Sequence, residues 1–169
     1  MDKRTLSLRQ ITLFGMLGAL TFGAKVAMAL LPNIEPVSLF VMLFAVTFGW
    51  KAFYPIYVYV VLEILSYGLG LWNINYLYIW AILALGAMAM RKLQNPLWWA
   101  LLSGFFGLSF GFLCSPVYLA TGGWEYAVAA WISGLSFDYS HAVGNFCIAL
   151  VLFVPLRKLL QTLYTKIQQ

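Results

Sequence analysis

Residues 96–120 read PLWWALLSGFFGLSFGFLCSPVYLA, a stretch without one charged side chain. The hydrocarbon core of a bilayer is about 30 Å thick, and a helix needs roughly 20 apolar residues to cross it. This stretch is long enough to cross with tilt. An unpaired backbone amide in hydrocarbon costs several kcal/mol, so such a stretch is a helix or part of a closed barrel. Barrel strands alternate polar and apolar residues, and this one does not.

The rest of the chain repeats the pattern. Of 169 residues, 63% are hydrophobic and 9% charged, against about 25% charged in soluble domains. Towards the C-terminus, Gly122-Gly123 ends the quoted run. Tyr126–Phe137, bounded by Glu125 and Asp138, is short enough to predict an interfacial or re-entrant segment. A last run, Tyr139–Leu156, meets Arg157 and Lys158.

Towards the N-terminus, Tyr76–Met90 ends at Arg91-Lys92. Ala52–Trp72 contains Pro55 and Glu63 and is closed by Asn73-Ile74-Asn75. Val37–Trp50 stops at Lys51, with Glu35 and Pro36 available for its first turn. Ile11–Leu31 is interrupted by Lys25 and ends at Leu31-Pro32-Asn33. It exceeds the roughly 7–15 residues of a signal-peptide core, which predicts a retained first span. The expectation is an all-α membrane protein with six transmembrane helices and a single domain over residues 1–169.

Charge gives the orientation. The formal net charge is +5. Lys3/Arg4/Arg9, Lys51, Arg91/Lys92 and Arg157/Lys158/Lys166 all fall on one side of a six-span arrangement. The opposite connections carry Glu35, Glu125 and Asp138 and no Lys or Arg. Basic residues collect in cytoplasmic loops, so both termini are expected in the cytoplasm. No nucleic-acid motif accompanies the basic clusters, and no nucleic-acid partner is expected.

Enzyme signatures are missing from the sequence. There is no GxxxxGK[ST] phosphate loop, no HExxH and no GxSxG. Cys114 and Cys147 have no metal-ligand or disulfide spacing. His141 is the only histidine and cannot build a metal site alone. No metal, cofactor or catalytic residue is expected.

The polar residues inside the apolar runs carry the functional signal, because ionisable groups in a bilayer are costly and face a bundle interior or cavity. Lys25 and Glu63 lie at similar depth; a charge-neutral strut and a substrate contact both fit. Asp138, His141 and Asn145 are spaced three and four apart, on one helical face. They are either a helix cap with interhelical bonds or the lining of a pocket. Trp72, Tyr76, Tyr78, Trp80, Trp124, Tyr126 and Trp131 crowd the same outward level with Asn73 and Asn75. An aromatic interfacial belt explains many of them, and so does a pocket for a neutral small molecule. In the first span Gly15, Ala19, Gly23 and Ala27 stack on one face, which lets another helix approach closely.

A first span with this small-residue stripe, followed by Leu31-Pro32-Asn33-Ile34-Glu35-Pro36-Val37 and five more helices, resembles the substrate-binding S components of energy-coupling factor (ECF) transporters. So do Phe137-Asp138-Tyr139-Ser140-His141-Ala142-Val143-Gly144-Asn145-Phe146 and Pro155-Leu156-Arg157-Lys158. The resemblance implies a six-helix protein of the prokaryotic plasma membrane that binds a vitamin from outside. It would pass the vitamin on through a transmembrane coupling subunit driven by two cytoplasmic ATPases. Gly15, Ala19 and Gly23 would contact the coupling subunit, with glycines where the family often has alanines. Within the family the sequence looks most like the branch that includes cobalamin carriers.

The expected substrate-binding set is Glu35, Glu63, Trp72, Asn73, Asn75, Tyr76, Trp124, Trp131, Asp138, His141 and Asn145, with the Pro32–Pro36 and Ala120–Phe137 connections as lids. Two rival readings stand beside the carrier: an intramembrane enzyme using His141, Asp138 and Glu63, and a non-catalytic membrane scaffold.

Overall fold

The computed structural model describes residues 6–30 and 35–168. The Leu31-Pro32-Asn33 breaker, most of the Pro32–Pro36 connection, and Lys3 and Arg4 lie outside them. The chain is all-helical among the described residues. The helices are α1 (Leu8–Ala27), α2 (Val37–Phe48), α3 (Phe53–Tyr67), α4 (Leu71–Ala89), α5 (Pro96–Leu108) and α6 (Phe110–Gln168). α6 breaks at Gly123, whose φ of 78° is the left-handed region that glycine enters without penalty. It therefore forms two rods, residues 110–122 and 124–168.

Contacts give the directions. Phe14 stacks on Tyr54 at 5.8 Å and Lys25 reaches Glu63, so α1 and α3 run parallel. α2 returns between them and turns at Gly49, φ 57°, through a 3₁₀ turn, Gly49–Ala52. Tyr57 donates to the Leu77 carbonyl at 2.7 Å and Tyr59 faces Tyr76, so α4 runs against α3. α5 continues into residues 110–122 through a kink at Ser109, and residues 124–168 run back along both. The pairs are Tyr118–Tyr126, Phe112–Trp131 and Trp99–Phe153.

Arg9, Lys51, Arg91, Lys92, Arg157, Lys158 and Lys166 all belong to one end, the basic end. There Arg157 donates to the Leu93 and Arg91 carbonyls at 2.9 and 2.8 Å and lies over the Trp99 ring, covering carbonyls left free where α4 finishes. The α3–α4 connection and the Gly123 break lie at the opposite end.

Four helical stretches are long and apolar enough to cross a membrane: Leu8–Ala27, Val37–Tyr67, Leu71–Ala89 and Pro96–Ile167. Two of these double back, at Gly49 and at Gly123, and hold the remaining rods. α2 has 12 residues, about 18 Å at 1.5 Å per residue. It is the central helix, with nine of its residues buried and protein rather than lipid around it.

Three boundaries differ from the sequence expectation. Asn73-Ile74-Asn75 is not a breaker. α3 stops at Gly68, φ 81°, and α4 already starts at Leu71, where the Asn73 side chain accepts the Gly70 N–H at 2.5 Å. Asparagine in a first helical turn caps the helix instead of ending it. Tyr126–Phe137 is not a segment set apart from the last run but part of one regular helix that continues through Asp138. Glu125 and Asp138 bounded the apolar run, yet a carboxylate does not interrupt a helix ladder. Ala120–Phe137 is accordingly a helical hairpin, not a lid loop.

Packing uses glycines that the sequence reading passed over. A Cβ on Gly18 would lie 2.5 Å from Val58 Cγ1 and 2.8 Å from the Pro55 carbonyl oxygen. One on Gly107 would meet the His141–Ala142 backbone at 2.9 Å. These are the points where α1 closes on α3 and α5 on the returning rod.

Candidate functional site

The end opposite the basic residues holds a charged cluster walled by aromatic rings. α1 supplies Lys25 in its last turn, and α3 supplies Glu63 one turn from its end. Lys25 Nζ donates to Glu63 Oε2 at 2.7 Å. Glu63 is 0% exposed, and its second oxygen, Oε1, has no hydrogen-bond partner among the described residues. The Lys25 ammonium also lies 5.7 Å from the ring centres of Tyr67 and Tyr76, within cation–π range.

Glu35, just before α2, completes the cluster. It is largely buried and close enough to Lys25 and Glu63 to feel both charges. Burial raises its carboxyl above the ordinary value; Lys25 opposes this and Glu63 adds to it.

Aromatic rings run from this cluster into the bundle. Trp72 meets Tyr76 at 5.2 Å, Tyr76 meets Trp80 at 5.3 Å, and Trp80 meets Phe110 at 6.1 Å. Phe110 in turn lies 5.1 Å from His141. Polar atoms without partners line this path: Tyr59 OH, Trp80 Nε1, Asn73 Nδ2 and His141 Nε2.

Asn75 is bonded instead to Tyr78. The Tyr78 hydroxyl lies 2.6 Å from the Leu113 carbonyl and 3.0 Å from Asn75 Oδ1. It has one proton, and the shorter contact takes it. The Asn75 amide turned over would donate Nδ2–H to the hydroxyl oxygen, which removes the unpaired donor.

Asp138, His141 and Asn145 share one face, as their spacing requires, and lie level with the start of α2 rather than at the Gly123 tip. The helix that carries them starts at residue 124, so Asp138 is about 21 Å along it. Asp138 accepts the Gly111 N–H with both oxygens, at 3.0 and 3.1 Å. The kink at Ser109 leaves that N–H without a helical acceptor, and Asp138 caps it from the neighbouring rod. Asn145 donates to Ser38 Oγ in the first turn of α2 at 3.0 Å.

Of the expected set, Glu35, Glu63, Trp72, Asn73 and Tyr76 come together at this end, and His141 joins them through the aromatic path. Trp124 and Trp131 do not. They line a separate lateral groove of 390 Å³ with Tyr78, Leu113 and Pro116, and Trp124 is 73% exposed. Tyr59, outside the expected aromatics, also belongs to the site, and so does Trp80, one of the outward aromatics. The tyrosine lies one turn before Glu63 and the tryptophan one turn after Tyr76, so the periodicity of those two residues pointed to both.

The α1 stripe faces away from the bundle. Ala19 and Gly23 are exposed, and a Cβ on Gly15 or Gly23 would meet nothing within 4 Å. Among the described residues, no group of three or more His, Cys, Asp or Glu could hold a metal ion. Comparison with protein-family models, curated proteins and solved structures finds no significant match.

Proposed function

We propose that this chain is the substrate-binding S component of an ECF-type importer. It takes a vitamin-class ligand at the end opposite its basic residues. Delivery runs through a separate coupling subunit driven by two ATPase subunits. One observation carries the reading: among the described residues, buried polar atoms without partners, including Glu63 Oε1 and Asn73 Nδ2, lie beside aromatic rings at that end. An unmet buried donor or acceptor costs about 1–3 kcal/mol. A binding protein recovers that cost when the ligand arrives, and a passive scaffold has no means of doing so.

The architecture supports the same reading. Six rods give six membrane crossings if the short α2 is shielded by its neighbours. With the basic end in the cytoplasm, both termini lie inside, and the charged cluster lies at the outward end in the plasma membrane of a prokaryote. The open small-residue face of α1 suits close approach by a helix of the coupling subunit. The resemblance implies a corrinoid as ligand.

Mass spectrometry of small molecules that co-purify with the chain tests the proposal. A vitamin recovered unchanged and rebinding by isothermal titration is the expected result. Chemical turnover of the recovered molecule by the purified chain would favour an intramembrane enzyme instead.

A further inference from the structure

The seam between α5 and the returning rod, residues 124–168, is open on its outer side. A lateral groove of 320 Å³ runs along it, lined by Leu101, Gly104, Phe105 and Leu108 of α5 and by Val143 and Phe146 of the rod. Leu101, Phe105, Leu108 and Val143 are exposed. Towards the basic end the same faces continue at helical spacing, through Leu97 on α5 and through Leu150 to Lys158 on the rod. Leu97 and Leu150 are exposed as well. From Leu97 to Leu108 the groove runs about 16 Å at 1.5 Å per residue. One leaflet is half of a hydrocarbon core about 30 Å thick, so the groove matches the depth of a single leaflet.

The basic end closes this groove with charge. Arg157 donates to the Leu93 and Arg91 carbonyls, which holds the α4–α5 connection against the rod and brings Arg91 and Lys92 close to Lys158. All three cations are exposed. The ion pair found among the described residues is Lys25–Glu63, at the far end. The described carboxylates, Glu35, Glu63, Glu125 and Asp138, all lie away from the basic end. Arg91, Lys92 and Lys158 therefore have no counter-charge among the described residues. Trp98, half-exposed at the start of α5, belongs to the level where tryptophan marks the headgroup interface.

Apolar depth suits any lipid, and charge selects among them. Basic clusters at the cytoplasmic ends of spans attract anionic headgroups, whereas a choline headgroup carries its own cation. We infer that this seam binds an anionic phospholipid of the cytoplasmic leaflet. Its phosphate sits between Arg91, Lys92 and Lys158, and one acyl chain fills the groove down to Leu108. The inference rests on the membrane orientation proposed above and not on the identity of the cargo.

Native mass spectrometry of the detergent-purified full-length chain, titrated with defined lipids, tests this. Dioleoylphosphatidylglycerol is expected to bind at least tenfold more tightly than dioleoylphosphatidylcholine, which has the same chains. It should exceed dihexanoylphosphatidylglycerol, which has the same headgroup, by a similar factor. Arg91→Gln, Lys92→Gln and Lys158→Gln combined should remove the headgroup preference, and Lys158→Gln alone should weaken binding about fivefold. Val143→Trp, which fills the groove, should remove the preference for long chains. These four side chains are exposed, so the lipid-free variants should unfold at the parental temperature. Equal binding of the choline lipid would overturn the charged seat. Equal binding of the short-chain lipid, or its displacement of the long-chain one at equal concentration, would overturn the acyl groove. A preference that survives both the triple variant and Val143→Trp would overturn the site itself. None of these failures bears on the carrier reading, which the co-purified small molecule decides.

Discussion

Lys25 and Glu63 stand 38 positions apart in sequence and 2.7 Å apart in the bundle, where they tie the end of α1 to the end of α3. Glu63 is wholly buried and the Lys25 side chain is 19% exposed. Desolvating two charges offsets much of their attraction, so the pair adds little net stability, while removing one member strands the other. Glu63→Gln or Lys25→Met should each cost roughly 3–5 kcal/mol. The double variant should cost less than Glu63→Gln alone. Thermal unfolding of the purified variants measures the coupling, and strictly additive losses would show that the two residues act independently.

Glu35 makes stability depend on pH. Burial raises its carboxyl above the ordinary 4.5, Lys25 opposes the rise and Glu63 reinforces it. The folded state therefore holds this proton more tightly than the unfolded chain does. Its stabilising contribution is complete below the unfolded value and is lost as pH rises through the folded one. Other carboxylates titrate nearby, so the informative quantity is a difference. The unfolding temperature of Glu35→Gln relative to the parent should increase as pH rises from about 4 upward. A difference constant with pH would mean that the carboxyl titrates normally.

Asp138 is a cap, and its removal should behave as one. Asp138→Leu leaves the Gly111 N–H without an acceptor at the Ser109 kink, a loss of about 1–3 kcal/mol. Asp138→Asn keeps one acceptor oxygen and should retain most of the stability. Amide hydrogen exchange near Gly111 reads the effect directly. Faster exchange in the leucine variant and near-parental exchange in the asparagine variant are expected. Equal protection in all three would assign the kink to another cause.

The sequence made the large features readable because lipid imposes them. Apolar run length, Gly122-Gly123 and the one-sided Lys/Arg distribution marked the rods, a turn and the ends. Lys25 and Glu63 were legible as partners because few charges enter the runs. The finer features were hidden for specific reasons. Asn73 looks like a breaker in composition and is a cap in geometry, since its side chain serves the Gly70 N–H. Glu125 and Asp138 cut an apolar run in two without cutting the helix. Reading that cut as a break in the helix turns a helical hairpin into a lid. Trp124 and Trp131 were grouped with the site by depth alone, and depth does not say which side of a helix faces inward.

The last prediction separates the two small-residue faces of α1, which lie one position apart. Gly18 faces α3 so closely that any Cβ meets Val58 and the Pro55 carbonyl. Ala19 is exposed. Gly18→Leu should push α1 off the bundle. Overpacking of this kind costs typically 1–3 kcal/mol, and more where the obstructing atom is backbone. The Lys25–Glu63 contact would suffer with it, since both lie along the same seam. Ala19→Leu should leave the unfolding temperature and ligand affinity of the isolated chain unchanged. In cells that carry the coupling and ATPase subunits it should abolish uptake, because the added side chain keeps a partner helix from closing on α1. Normal uptake with Ala19→Leu would return the outer stripe to a lipid-facing surface, and a stable, ligand-competent Gly18→Leu would show that α1 is free to shift.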